Sequence, residues 1–204
     1  MKHEQRKVKR APQIETRGSE NVPHLVGYAA VFYREDDPGT QYKLWNNCFE
    51  RVMPSAFDNV AKNDVRGLFN HDSDNILGRN TAGTMKLTVD EVGLRYDITL
   101  PNTQFARDIA ESIGRGDIDG SSFAFLPDKE EWSERKEGGL EYEVRELLSV
   151  EVFDVGPVTY PAYQATTSDI AERSHQGWQE ELKQQRAAIR RRQRRLKLAQ
   201  LRSH

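Results

Sequence analysis

The sequence predicts an α+β fold built mainly from antiparallel strands, followed by a basic C-terminal helix. Three observations predict it. Apolar and polar residues alternate in short runs of strand length, among them "HLVGYAAVFY", "MKLTVDEVGLRYDITLP" and "VEVFDVGPVTY". Segments of helical spacing lie between these runs, so strands come first and last, the order of a segregated fold rather than a βαβ one. Residues 176–204 then change character, with nine Lys or Arg against two Glu.

The chain has 204 residues, 36% hydrophobic and 30% charged, enough to bury one core of ordinary size. No run approaches the roughly 18 apolar residues of a membrane-spanning helix. The basic N-terminus "MKHEQRKVKRAPQIETRG" lacks the apolar stretch of a secretory signal. A soluble protein made in a cytoplasm is expected. The net charge of −2 hides an asymmetry: residues 1–17 hold six Lys or Arg against two Glu, so residues 18–175 carry a net −13 between two basic ends. Cys48 is the single cysteine, which excludes an internal disulfide framework and a cysteine-based zinc site. In "LWNNCFERV" it reads as a small half-buried side chain.

Taken in order, "HLVGYAAVFY" is a strand and Pro38-Gly39 a turn. "FERVMPSAFDNVAKN" places Pro54 at a helix start, with Phe57, Val60 and Ala61 at helical spacing. "VRGLFNHD" is a short strand running into the polar loop "DSDN". Met85, Leu87 and Val89 alternate, residues 90–93 supply a turn, and Leu94, Tyr96, Ile98 and Leu100 alternate again, which makes a hairpin. Phe105, Ile109, Ala110 and Ile113 share one helical face that Gly114 and Gly116 end. "SSFAFLP" is the next strand, "DKEEWSERKEGG" a charged loop, and "LEYEVRELLSVEVFDVGPVTYPAY" one or two further strands. "QATTSDIAERSHQG" reads as a linker. Trp178, Leu182, Ile189 and Leu196 beyond it form a thin stripe at heptad spacing on an arginine-rich helix. The expected organisation is a basic tail at 1–17, a body at 18–165, and a linker with a basic helix at 166–204.

Two adjacent serines stand out in "DGSSFAF". Along a strand side chains alternate, so Ser121 shares a face with Phe123 and Phe125, and Ser122 shares the other with the small Ala124. Phenylalanines belong to the core side, which leaves Ser122 as the better nucleophile. A serine needs a base. Of the five histidines, only His24 and His71 lie in the body. His24 reads as a solvated residue at a strand edge, whereas His71, in "GLFNHDSDNILGR", lies where an apolar strand meets a polar loop and can face a cleft. Asp154 interrupts an apolar stretch, where an acid is costly to bury unless paired. It either caps the turn at Gly156-Pro157 or holds a charged partner such as an imidazole.

"LFNHDSDNILGR", "GDIDGSSFAF" and "DVGPVTYPAY", in this order and spacing, resemble the three signature blocks of the HK97-type phage prohead proteases, capsid maturation proteases related in fold to the herpesvirus assembly proteases. The resemblance covers residues 27–165. It implies a β-barrel-like core with flanking helices and a serine peptidase whose histidine is His71, whose nucleophile is Ser122 and whose acid is Asp154. Two departures stand out. Family members often have an apolar residue at the place of Ser121 and Gly at that of Ala124, and Glu-Val-Ser where this chain has Asp154-Val155-Gly156. A shorter acid must bring its backbone nearer the imidazole, and Glu151 is the reserve candidate.

The resemblance further implies work in the host bacterial cytoplasm, inside the assembling prohead. The substrates would be the major capsid protein or its scaffold segment, and the protease itself as an oligomer. Such acyl transfer calls for no cofactor and no metal, and "DSDN" lacks the length and distal Glu of an EF-hand loop. The competing expectation is a non-enzymatic capsid scaffold or nucleic-acid-binding module acting through the basic tail. Against it, the body is acidic and the tail's one aromatic, Trp178, precedes the arginines.

Overall fold

The computed structural model describes residues 3–8, 10–19, 21–160 and 164–202. The chain falls into two compact units, Met1–Thr167 and Ser168–His204. Strands β1 (Glu4–Val8), β2 (Gln13–Arg17), β3 (Val22–Val31), β4 (Gln41–Trp45), β5 (Cys48–Val52), β6 (Arg66–Leu68), β7 (Ile76–Arg79), β8 (Met85–Val89) and β9 (Gly93–Thr99) precede helix α1 (Gln104–Gly114). Strands β10 (Gly120–Glu137) and β11 (Leu140–Val158) form one long hairpin, and helix α2 (Gln164–Arg202) ends the chain.

The strands make two sheets. The first runs β1-β10-β11-β5-β4, with β6 also pairing with β11 and β7 with β6; the second runs β2-β3-β9-β8. The α+β expectation with mostly antiparallel pairing therefore holds. The barrel does not, because the strands form two separate sheets whose apolar faces bury one core. Leu25, Leu94, Tyr96 and Ile98 from the second sheet and Phe123, Phe125, Leu147 and Val152 from the first belong to that core, with Ala106, Ile109 and Ile113 of α1. Phe57 meets Phe123 edge-on at 5.8 Å, and Phe123 stacks on Phe125 at 4.7 Å. Such pairs contribute about 0.5–1.5 kcal/mol each beyond their buried area. They fix the side of β10 that faces inward.

Local chemistry explains several elements directly. Thr103 caps α1 by accepting from the Ala106 amide at 3.2 Å. In the β8–β9 turn, the Asp90 carboxylate accepts from the amides of Val92 and Gly93. The helix expected at Pro54 is instead two single 3₁₀ turns, Pro54–Phe57 and Val60–Lys62, which bury Ala56, Phe57 and Val60. "CFERV", which ends two residues before Pro54, is β5, paired in parallel with β11.

Three charged stretches also differ from expectation. "DKEEWSERKE" continues β10, and Gly138 and Gly139, both at positive φ, turn the chain into β11. Cross-strand pairs such as Lys136–Glu141 at 2.9 Å and Arg135–Glu146 at 3.4 Å accompany this polar arm. The stretch expected as a linker forms the first turns of α2. Where a basic tail was expected, β1 joins the first sheet and β2 the second. Alternation in β1 buries Glu4, Arg6 and Val8 and leaves Gln5 and Lys7 half-buried.

Glu4 and Arg6 enter a buried ionic cluster. Arg6 donates to Glu50 at 2.6 and 2.8 Å and to Glu4 at 2.7 Å. Arg145 donates to Glu4 and Glu50 at 2.8 Å and to Glu130 at 2.7 Å. Burial works against the charge on Arg6, but Glu50 and Glu4 outweigh it and raise its pKa. The first strand is thus tied to β5 and β11 by buried ion pairs, beside its backbone ladder with β10 and the buried Val8.

Candidate active site

The site is assembled on the face of the first sheet that points away from the core. On β10, Ser121, Phe123 and Phe125 face inward, and Ser122 and Ala124 face outward. Ser121 accordingly lies 2.7 Å from the Tyr96 hydroxyl, and both side chains are fully buried.

Strict alternation along "VEVFDV" would place Asp154 on the core face with Val150 and Val152. A bulge prevents it. Ala124 pairs with Asp154 but Phe125 pairs with Val152, so Phe153 is the extra residue and the strand changes parity there. Val155 returns to the core opposite Phe123, Gly156 lies opposite Ser122, and Asp154 joins Ser122 on the outer face. Glu151, the reserve acid, is exposed opposite Leu126.

His71 arrives from the loop between β6 and β7. Asn70 and His71 both adopt left-handed backbone, with φ of 54° and 58°. Consecutive non-glycine residues in that region are strained and persist only where their surroundings hold them. Here the Asn70 amide donates to the Pro157 carbonyl at 3.1 Å, and the Asn70 side chain accepts from the amide and hydroxyl of Thr159 at 2.9 Å each. Asp72 closes the far side of the loop, accepting from the Asp74 amide at 2.9 Å and from the Asn75 side chain at 2.7 Å. "DSDN" thus shapes the loop that aims His71.

The outcome is a relay. His71 Nδ1 lies 2.5 Å from Asp154 Oδ1, and His71 Nε2 lies 2.7 Å from Ser122 Oγ. An ionised carboxylate only accepts, so Nδ1 carries the proton and donates to Asp154, leaving Nε2 to accept from the Ser122 hydroxyl. The His71 and Asp154 side chains are 11% and 12% exposed, and Ser122 is fully buried. All three sequence candidates therefore meet within hydrogen-bonding distance.

The remaining candidates lie elsewhere. His24, expected to be solvated, is half-buried on the second sheet, 2.8 Å from Asp97, which also pairs with Arg17. Cys48 is fully buried, and burial, helped by Glu143 and Glu50, pushes its thiol up to about 12. It stays a neutral thiol at physiological pH. Pro161 to Tyr163, the end of the third sequence block, lie outside the described residues. What residue-level reading missed was the support: Asn70, Thr159 and the Phe153 bulge. The signal available was the Asn in "NHD", since Asn tolerates left-handed backbone better than most residues.

A serine, an imidazole and a carboxylate so linked, carried on a sheet and a neighbouring loop, define the arrangement of a serine hydrolase. A family model described as caudovirus prohead serine protease matches residues 11–181, and the chain belongs to that family. No curated protein and no solved structure matches it. Family membership makes the protein a capsid maturation protease of the serine peptidase type. Among the described residues, no helix is long and apolar enough to cross a membrane.

Proposed function

We propose that the protein hydrolyses peptide bonds with Ser122 as nucleophile, His71 as general base and Asp154 as the group that orients His71. The observation that carries this is the continuous pair of contacts, 2.7 Å from Ser122 Oγ to His71 Nε2 and 2.5 Å from His71 Nδ1 to Asp154. As Ser122 Oγ attacks the scissile carbonyl carbon, its proton passes to His71 Nε2. His71 then protonates the leaving amine as the tetrahedral intermediate collapses to an acyl-enzyme. Water repeats the sequence: His71 takes its proton, the ester breaks, and Ser122 recovers its hydrogen. Asp154 stabilises the imidazolium in both halves.

The substrates in this reading are the major capsid protein or its scaffold segment, and the protease itself, within an assembling prohead in the host bacterial cytoplasm. Family membership supports it. The relation in fold to herpesvirus assembly proteases is supported by the three sequence blocks alone. Residues 166–204 are proposed as a docking element for an acidic partner. Within α2, Ile189 is 57% exposed and lies beside an arginine-rich face, which favours a partner both apolar and anionic.

The direct test is a fluorophosphonate probe followed by peptide mapping. An adduct on Ser122 that is lost in His71→Ala supports the assignment. An adduct on another serine, or one on Ser122 formed equally fast without His71, contradicts it.

A further inference from the structure

Strand β10, which carries Ser122, has β11 along one flank and β1 along the other, with Lys7 directly opposite Ser122. β1 is the end of the sheet, and the family match begins after it, at residue 11. Its placement has the geometry of strand addition, in which an extended peptide takes an exposed sheet edge and gains affinity from main-chain hydrogen bonds. Cross-strand neighbours lie about 4.5–5.5 Å apart between Cα atoms, so a chain on this flank brings its backbone within reach of the Ser122 side chain. Gln5 and Lys7 share the face of Ser122 and Asp154. Lys7 runs across Gly120, where a β-carbon would fall 1.9 Å from its Cε, and its ammonium lies 3.3 Å from Asp119. His3 stacks on the bulged Phe153 at 4.0 Å. The nucleophile beside this strand is fully buried.

We propose that the β10 flank held by β1 is the docking edge for the polypeptide to be cleaved, and that β1 occupies it in cis as a substrate-like strand. The inference rests on the reading of Ser122 as nucleophile. The edge takes an extended segment that brings an acid opposite Phe125, an arginine opposite Phe123 and a lysine opposite Ser122, the positions of Glu4, Arg6 and Lys7. Charge sets this preference. With β1 removed, Glu50 loses its ion pair with Arg6 and Arg145 loses its ion pair with Glu4, while the net charge of the cluster is unchanged because one base and one acid leave together. A bound segment supplies the missing arginine, and its acid replaces Glu4 on Arg145. Asp119 receives the lysine. Because β1 is held by ion pairs and tethered to β2 by a short connection, it competes at the high effective concentration of a linked strand. Ser122 is therefore accessible only when β1 lifts or is displaced.

The test uses the full-length chain in two forms. Gln5 and Ala124 are cross-strand neighbours, so Gln5→Cys with Ala124→Cys locks β1 down by a disulfide. Glu4→Ala with Arg6→Ala releases it. One readout is the rate of Ser122 labelling by a fluorophosphonate. The other, which needs no chemistry at Ser122, is fluorescence anisotropy of a labelled peptide HEQRKVKR. Release should speed labelling at least about tenfold and let the peptide bind. The oxidised lock should slow labelling by a similar factor and exclude the peptide, and reduction should reverse both. A peptide with Glu and Arg exchanged, HRQEKVKR, should bind at least about tenfold more weakly. Equal labelling and equal peptide binding in the locked and released forms would overturn the proposal. If Ser122 reacts in no form while the peptide still binds the released chain and not the locked one, the docking edge stands and the hydrolase reading falls.

Discussion

A β-carbon placed on Gly156 would lie 1.9 Å from the carbonyl oxygen of Leu68. That closeness brings the end of β6, and with it the loop carrying His71, down onto β11 beside Asp154. It also links two features of the sequence. Relatives resembled by this chain often have Glu and Ser where it has Asp154 and Gly156, and a shorter acid reaches the imidazole only if the two backbones approach.

Gly156→Ala should therefore cost about 1–3 kcal/mol through overpacking, read as a lower urea midpoint. It should also reduce cleavage about a hundredfold, because a small displacement of His71 breaks the alignment of the relay. The double change Asp154→Glu with Gly156→Ser should be less damaging than the two single changes added together. Strict additivity would separate the two positions.

Ser121 and Ser122 should behave oppositely although adjacent. Ser122→Ala should leave stability nearly unchanged and abolish cleavage. Ser121→Ala should retain cleavage but lose about 1–3 kcal/mol, since the buried Tyr96 hydroxyl is left without its 2.7 Å partner. Adding Tyr96→Phe should recover much of that loss, as judged by thermal unfolding. Loss of cleavage from Ser121→Ala alone would reverse the face assignment of β10.

The serine faces were legible because phenylalanines at alternate positions mark the core side of a strand. Asp154 was not placed by the same rule, since the bulge at Phe153 breaks the alternation on which the rule depends. The β8–β9 hairpin and α1 were legible for the complementary reason: their turn and cap chemistry agrees with their apolar spacing. β1 was hidden because Glu4 and Arg6 are buried by ion pairing, and a polar pair in a basic stretch looks solvated to any reading of hydropathy. The outer arm of β10–β11 was hidden because its side chains are charged and mostly exposed, while the two strands are joined by their backbone ladder.

The buried cluster should make the fold acid-sensitive. Burial alone would raise the Glu50 carboxyl, but Arg6 and Arg145 outweigh it and hold it below its ordinary value. Its contribution is thus fully present above the unfolded value of about 4.3 and is lost as pH falls through the lower folded value. Glu50→Gln should destabilise the protein by about 3–5 kcal/mol at neutral pH, because it breaks a buried network on one side only. The gap from wild type should narrow when unfolding is measured at progressively lower pH below about 4. A constant gap would remove Glu50 from the acid response.

Removing residues 176–204 should leave a folded domain that retains cleavage of a capsid-protein segment in solution. The same truncation should lower the fraction of protease incorporated into particles, and binding of the isolated segment to its partner should weaken with added salt. Unchanged incorporation would exclude a docking role for the basic helix.

Proposed cleavage of capsid proteins by Ser122, activated by His71 and Asp154, is read out most directly by the intact mass of the coat protein after co-expression with the protease. Wild type should yield a shortened coat protein, Ser122→Ala and His71→Ala the full-length one, and Asp154→Asn a product formed slower by orders of magnitude. A shortened coat protein in the presence of Ser122→Ala, or a full-length one with wild type, would contradict it.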